Sequence, residues 1–300
     1  MSKKAKIGLI GVGKWGKNIK RTLKEMGVLG MTSDLNGKED TKDYWDILNN
    51  VEIDAVCIAT EPQYHYQIAE DAIVAGRDVF VEKPFTQNLE EASFLIRLAN
   101  DFDKILMAGF LPLYHTSYHK LKSKISEIGK INYIQARRLE VGKKPEDILN
   151  RLAPHDISLV VDLIGEPEKA VVFGSENSVI LRLVYKDNDV GAGIFLSLNH
   201  PSKERTFTVM GSKENLVFDE LKDIPKKEPL LLELEHFVDC VKSRRQPLTS
   251  GSKILKIIKT VDECKKSFNK NSGEGITEWA VYPGTGTGST GEGDSEILWN

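Results

Sequence analysis

Ile10-Gly11-Val12-Gly13-Lys14-Trp15-Gly16 is the stretch on which the reading of this chain turns. It follows a short apolar run, residues 5–10. It opens a stretch, residues 14–26, in which Ile19, Leu23 and Met26 recur at helical spacing until Gly27 ends it. A strand, a G-x-G-x-x-G turn and a helix, in that order, form a cradle for phosphate. Gly11 permits the tight turn, Gly13 lets a pyrophosphate approach the backbone, and Gly16 lets helix and strand pack closely. Val12, Lys14 and Trp15 complete the loop, and the helix start adds N–H groups and a positive dipole end. Asp34 stands eighteen residues after Gly16, at the end of a second predicted strand, 28–33. Its carboxylate is placed to accept hydrogen bonds from an adenosine ribose and to repel a 2′-phosphate. NAD is therefore expected, with NADP as the alternative because Ser33 and Lys38 are near enough to serve a phosphate.

Outward from the loop, strand and helix patterns alternate. Strands are expected at 55–59, 78–81 and 104–107, and helices at 44–48, 65–75 and 88–100, the last with Asn88 as N-cap and Glu91 three residues later. Such alternation implies right-handed βαβ units and a parallel, doubly wound sheet. After about residue 115 the pattern changes. A helix at 116–126 precedes a long strand at 131–139. A helix opens at Pro154 and runs to 164. Strand-like runs follow at 170–173, 179–185, 192–198, 205–210 and 215–218 without helices between them, which suggests a largely antiparallel sheet. Helices at 230–243 and 252–268 close the body. The expected class is α/β: a dinucleotide-binding domain, 1–115, then an α+β domain, 116–272, for substrate binding and assembly.

The 300 residues carry a formal charge of −3, with 40% hydrophobic and 28% charged residues. This is a globular composition, and its charge offers no support for a nucleic-acid partner. No apolar run is long enough for a membrane span. The N-terminal segment reads as a first strand and not as a signal peptide. Cys57, Cys240 and Cys264 are too widely spaced for a disulfide framework or a metal motif, so a reducing, cytoplasmic setting is expected and no metal. Residues 273–300 hold seven glycines, five acids and no Lys or Arg. A disordered tail is expected there, with a composition that also fits an appended sequence; a partner-binding peptide anchored by Trp279 and Trp299 is the alternative.

In an open parallel sheet, ligands bind beyond the C-terminal strand ends. Thr60, Glu61, Pro62 and, one turn later, His65 follow one such end; Glu82-Lys83-Pro84 follows the next. These residues, with the glycine loop, are the cofactor-side candidates. Lys83, partly removed from water, has a lowered pKa and can move a proton. Leu152-Ala153-Pro154-His155-Asp156 supplies a second group. Pro154 suits a first helical position and Asp156 a first turn, so His155 sits where the helix dipole disfavours imidazolium. A neutral imidazole is the form that takes a proton from an alcohol.

Together these residues resemble the Gfo/Idh/MocA family of nicotinamide-dependent oxidoreductases. The resemblance runs over roughly residues 5–270 and is carried by IGLIGVGKWGKN (7–18), AVCIATEPQYH (55–65), VFVEKPFT (79–86), LAPHDISLVVDLIGEP (152–167), GSKENLVFD (211–219) and HFVDCVKSRRQPLTSG (236–251). It implies a Rossmann domain followed by a domain with an open, mostly antiparallel sheet. It also implies homodimers or homotetramers built through that sheet's exposed face. The implied activity is hydride transfer between nicotinamide and a hydroxyl or carbonyl carbon of a sugar, nucleotide sugar or inositol, with Lys83 and His155 as the catalytic pair. A non-catalytic, NAD(P)-binding regulator of sugar metabolism is the alternative. The chain departs from the common pattern at Arg151 and Ala153, and in the segment ending Leu113-Tyr114. Arg151, Tyr114 and Asp156 are the candidates for substrate contact.

Overall fold

The alternation over the first hundred residues builds a five-stranded parallel sheet in a computed structural model that describes residues 5–143, 147–186 and 190–271. Its strands are β1 (Ile7–Ile10), β2 (Leu29–Ser33), β3 (Ala55–Ile58), β4 (Asp78–Val81) and β5 (Leu106–Ala108), in the spatial order β2-β1-β3-β4-β5. β1, β3 and β4 are buried at every position, which is why they read as unbroken apolar runs: both faces are covered. The connecting helices are α1 (Gly16–Glu25), α2 (Tyr44–Leu48), α3 (His65–Val74) and α4 (Leu89–Asp101). The second crossover is only the short α2, capped by Asp43. At α4 the expected cap is in place: Asn88 Oδ1 accepts from the Glu91 amide at 2.8 Å and the Glu91 side chain reaches back to the Gln87 amide at 3.0 Å.

The second sheet has six strands: β6 (Ile131–Leu139), β7 (Lys169–Ser175), β8 (Ser178–Val184), β9 (Gly191–Ser197), β10 (Glu204–Gly211) and β11 (Asn215–Asp219). The order is β11-β10-β6-β9-β8-β7, antiparallel except where β6 meets β9. Helix α5 (Thr116–Ser123) leads into β6. A single turn, α6 (Ile148–Arg151), precedes α7 (Ala153–Ile164); the turn was not expected. Helices α8 (Pro229–Ser243) and α9 (Gly251–Asn271) follow the sheet in sequence yet pack back against the first domain, α8 on α1 and α9 on α4. The Thr249 hydroxyl, between them, donates to the Ala108 carbonyl at the end of β5 at 2.6 Å. The C-terminal helices thus tie the two sheets together.

One face of the second sheet is buried and the other open. Ile134, Ala136, Leu181, Ile194, Phe207, Val209 and Phe218 point inward, while Phe173, Ile180 and Val217 are exposed. No helix among the described residues is long and apolar enough to cross a membrane. The tail expected at 273–300 lies outside the described residues.

Candidate active site

The glycine loop has the shape its sequence predicts. Gly11 has φ +90°, and a Cβ there would sit 2.6 Å from the Thr60 amide nitrogen. A Cβ on Gly16 would lie 2.1 Å from the Gly11 carbonyl oxygen, so helix and strand leave room for hydrogen only. Over Gly13, by contrast, a Cβ would meet nothing within 4 Å. Helix α1 begins with no side-chain cap and no acid in its first turn, leaving its amides for an anion. Asp34 closes the arrangement. Its Oδ2 accepts from the Val12 amide at 2.7 Å and its Oδ1 from the Asn36 amide at 3.0 Å. Open space over the loop, uncapped amides and a fixed carboxylate beside β2 fit a dinucleotide, with Gly11–Gly16 at the pyrophosphate and Asp34 at the ribose.

A cleft of about 560 Å³ runs from this loop to the second sheet. Lys14, Trp15 and Thr60 line its cofactor end. Lys83 and His155 both open onto it, Lys83 from the end of β4 and His155 from the first turn of α7. Burial lowers the Lys83 ammonium, as do the charges of Arg151 and Arg138, while the adjacent Glu82 opposes them. His155 is held well below the ordinary imidazole range by its enclosure and by Arg138, Lys83 and Arg205. The cleft therefore holds an imidazole kept neutral and a lysine whose ammonium lies below its ordinary range, two groups suited to hold and move a proton in an alcohol–carbonyl interconversion. Glu82 itself turns away from solvent. Its carboxylate accepts the Trp15 indole N–H and the Lys83 amide, the latter at 3.1 Å. Trp15 thus couples the glycine loop to the Glu-Lys-Pro segment.

Three of the expected contacts are corrected by the geometry. His65 is 1% exposed, and its ring nitrogens lie 2.8 Å from the Pro84 carbonyl oxygen and 3.1 Å from that of Thr60. It braces the turns that carry Thr60 and Lys83 instead of meeting the cofactor. Tyr114 is buried beneath the cleft, its ring 5.7 Å from that of His236 on α8. Asp156 is buried and engaged by Arg138 through bonds of 2.7 and 3.2 Å; it is a support, not a substrate ligand. Glu61 and Pro62 are exposed at the turn before α3, beyond the cleft lining. Arg151, at the end of α6, does line the cleft.

The far wall contains four residues that the reading of the sequence passed over: Arg138, Glu140, Arg205 and Glu220. Arg138 and Arg205 are directly opposed on β6 and β10. Two like charges in register repel, and Glu220 joins them, accepting Arg138 Nη2 at 2.9 Å and Arg205 Nη1 at 2.6 Å. Glu140 accepts Arg205 Nη2 at 2.7 Å. A signal was present. Inward positions alternate along each strand: Ile134, Ala136, Arg138 and Glu140; Val209, Phe207 and Arg205; Phe218 and Glu220. Each inward row is apolar at one end and charged at the other, and the charged ends meet at the cleft. Among the described residues no group of three or more His, Cys, Asp and Glu side chains suits a metal ion.

Comparison with known proteins agrees with this arrangement. Residues 5–110 match the Gfo/Idh/MocA model described as an oxidoreductase family with an NAD-binding Rossmann fold. The chain is 26% identical over 235 residues to UDP-N-acetylglucosamine 3-dehydrogenase of Acidithiobacillus ferrooxidans, covering 67% of this chain and 74% of that protein. It is 23% identical over 253 residues to scyllo-inositol 2-dehydrogenase (NAD(+)) of Bacillus subtilis, covering 70% and 74%. Among solved structures, myo-inositol 2-dehydrogenase from Lactobacillus plantarum superposes with a TM-score of 0.79 at 20% identity, covering 89% of this chain and 98% of that one. A 3-ketoreductase from Actinomadura kijaniata, in complex with TDP-benzene and NADP in an open conformation, gives 0.76 at 17%, covering 88% and 98%. These structural likenesses establish the two-domain fold.

Proposed function

From the match of residues 5–110 to the Gfo/Idh/MocA oxidoreductase family model with its NAD-binding Rossmann fold, we propose that the chain is a nicotinamide-dependent oxidoreductase of CH–OH groups, acting on a sugar, nucleotide sugar or inositol-like polyol. The observation that carries this reading is the cleft itself: one space is shared by the glycine loop, Lys83 and His155. The nicotinamide supplies the hydride acceptor or donor when bound. The residues of the chain hold the substrate oxygen and move its proton. In oxidation the neutral His155 accepts the hydroxyl proton, and Lys83 donates a hydrogen bond to the same oxygen as it becomes a carbonyl. In reduction the protonated His155 returns that proton to the same oxygen, and Lys83 again donates the hydrogen bond. Asp34 favours NAD over NADP. The test is a panel of free sugars, inositols and nucleotide sugars, each with NAD and NADP, followed by nicotinamide absorbance.

The charged far wall supports a polar, many-hydroxylated substrate, because Glu140 and Glu220 keep acceptor capacity while held by arginines. Arg151 beside Lys83 favours a phosphate or carboxylate on that substrate. Arg151→Ala is expected to raise KM about tenfold or more for an anionic substrate with little change in kcat, the signature of lost uniform binding. An unchanged KM would remove Arg151 from recognition.

The proton chemistry has a pH signature. A base must be unprotonated to accept a proton, so oxidation is lost as pH falls through the His155 pKa. Since that pKa is lowered by burial and by Arg138, Lys83 and Arg205, the acidic limb of kcat/KM lies below pH 6.5, the ordinary imidazole value. A limb at or above that value in a full pH–rate profile would contradict the assignment. Assembly through the open face of the second sheet is supported by exposed Phe173, Ile180 and Val217. The three buried thiols, Cys57, Cys240 and Cys264, suit a reducing compartment.

A further inference from the structure

Behind the cleft lies a carboxyl group for which neither the fold nor the proton chemistry above accounts. Glu233 on α8 has no exposure, and neither of its oxygens has a hydrogen-bond partner of normal geometry among the described residues. The Tyr114 hydroxyl, in the turn over which α8 packs, is likewise buried without such a partner. Unpaired buried polar atoms are rare, and several in one place mark an internal water or a proton-bearing site.

The neighbour that gives Glu233 meaning is Glu82. The Phe80 and Phe237 rings pack 5.8 Å apart between β4 and α8. Glu82 is two residues beyond Phe80 on the strand, and Glu233 is one helical turn before Phe237. Each step is roughly 6 Å along its element, and Glu82 lies near enough for its charge to act on Glu233. Gly109 leaves the space: a Cβ there would lie 3.3 Å from the Glu82 Oε2 and 2.9 Å from Phe80 Cζ. Two carboxylates in one apolar layer do not both ionise. Burial pushes the Glu82 carboxyl up as well, but against it stand the Trp15 indole, the Lys83 charge and the Lys83 amide, which hold its negative form. For Glu233, burial and Glu82 act against the charge and only the Phe110 backbone favours it.

We propose that Glu233 is a positioning residue for the reaction: a carboxyl kept neutral, it donates a hydrogen bond through an internal water to Glu82, and so keeps the Glu82 carboxylate charged beneath Lys83. The groups facing Glu233 are Glu82 from β4, Cys57 from β3 and Tyr114 from the turn 111–114. Burial keeps the Cys57 thiol and the Tyr114 phenol neutral, so Glu82 is the one charge Glu233 addresses. Lys83 in turn faces Glu82, Arg151, Arg138 and His155, and Glu82 is the acid that opposes the two arginines there. Loss of the donor at 233 lets Glu82 take up a proton, and Lys83 then gives up its own at lower pH. The consequence for turnover rests on Lys83 acting as proposed above; the protonation state of Glu233 does not.

Two variants test this. In the infrared difference spectrum of wild type against Glu233→Gln, taken at neutral pH without cofactor or substrate, the C=O band of a protonated carboxyl is expected in the wild type alone. Glu233→Leu is expected to move the alkaline limb of the kcat profile, where Lys83 loses the proton of its hydrogen bond, about one unit toward lower pH, a tenfold change in the lysine's protonation ratio. Glu233→Gln, which keeps a neutral donor, is expected to restore the limb. NADH binding should be the same in all three proteins. Absence of the carboxyl band would overturn the proposal, as would a Glu233→Leu profile that overlays the wild type. If instead Lys83→Ala turns over normally while the band is present, the catalytic reading of Lys83 fails and the neutral Glu233 stands.

Discussion

Lys83→Ala is expected to lower kcat by about 10²–10⁴-fold, the usual contribution of a positioned proton-transfer group, while NADH still binds. The separation follows from the layout. In the proposed reading Gly11–Gly16 and the start of α1 cradle the phosphates and Asp34 serves the ribose, and Lys83 belongs to neither group. What the variant removes, on the proposed role, is the cation meant to face the substrate oxygen, an ammonium that burial lowers from its ordinary range. Lys83→Arg sharpens the test. An arginine keeps the charge and cannot release the proton. If proton movement is what Lys83 supplies, Lys83→Arg is as slow as Lys83→Ala; if charge alone matters, it recovers most of the rate.

Arg138→Met is expected to destabilise the protein by about 3–5 kcal/mol, as when one member of a buried ion pair is removed. Arg138 is 4% exposed and Asp156 2%. Their two bonds at 2.7 and 3.2 Å, with the third from Arg138 to Glu220 at 2.9 Å, hold the first turn of α7 against β6. The methionine matches the arginine stem in length but leaves Asp156 buried without its cation. A double variant, Arg138→Met with Asp156→Leu, removes both charges and is expected to recover much of the loss, since an apolar pair of similar volume often replaces a buried ion pair at little cost. Denaturant midpoints for the two proteins measure this directly. The same change acts on chemistry. Arg138 stands next after burial among the causes that lower the His155 imidazole, so without it the acidic limb moves to higher pH in both variants. A double variant that stays as unstable as the single one would mean that Arg138 acts through packing and not through its charge.

These two residues also mark how far the sequence carries. Lys83 was visible because a parallel strand buried on both faces ends abruptly in polar residues, and the end of such a strand is where ligands bind. The loop at Gly11–Gly16 was visible because its spacing and its place between strand and helix admit few other uses. Arg138 was not. The change from Ala136 to charged Arg138 along its inward row can be read from the alternation, but nothing local says that this end of the row meets the cleft. Its partners lie 18 and 82 positions away in sequence, so the network exists only after folding. His65, Tyr114 and Asp156 erred in the opposite direction. Each is polar and adjacent to a site element, but adjacency in sequence does not set orientation, and each turns its polar atoms toward a backbone carbonyl, the core or a buried guanidinium. The return of α8 and α9 onto the first sheet was equally hidden, because periodicity shows that a helix has an apolar face but not which surface covers it.

In the proposed chemistry hydride passes within one cleft while Lys83 and His155 hold the substrate oxygen and handle its proton. The most direct measurement oxidises a panel substrate deuterated at its carbinol carbon and follows where the label goes. Deuterium is expected in the nicotinamide ring and not in water, with transfer falling together in Lys83→Ala and His155→Ala. Label released to water, or transfer at the wild-type rate in either variant, would contradict the proposed chemistry.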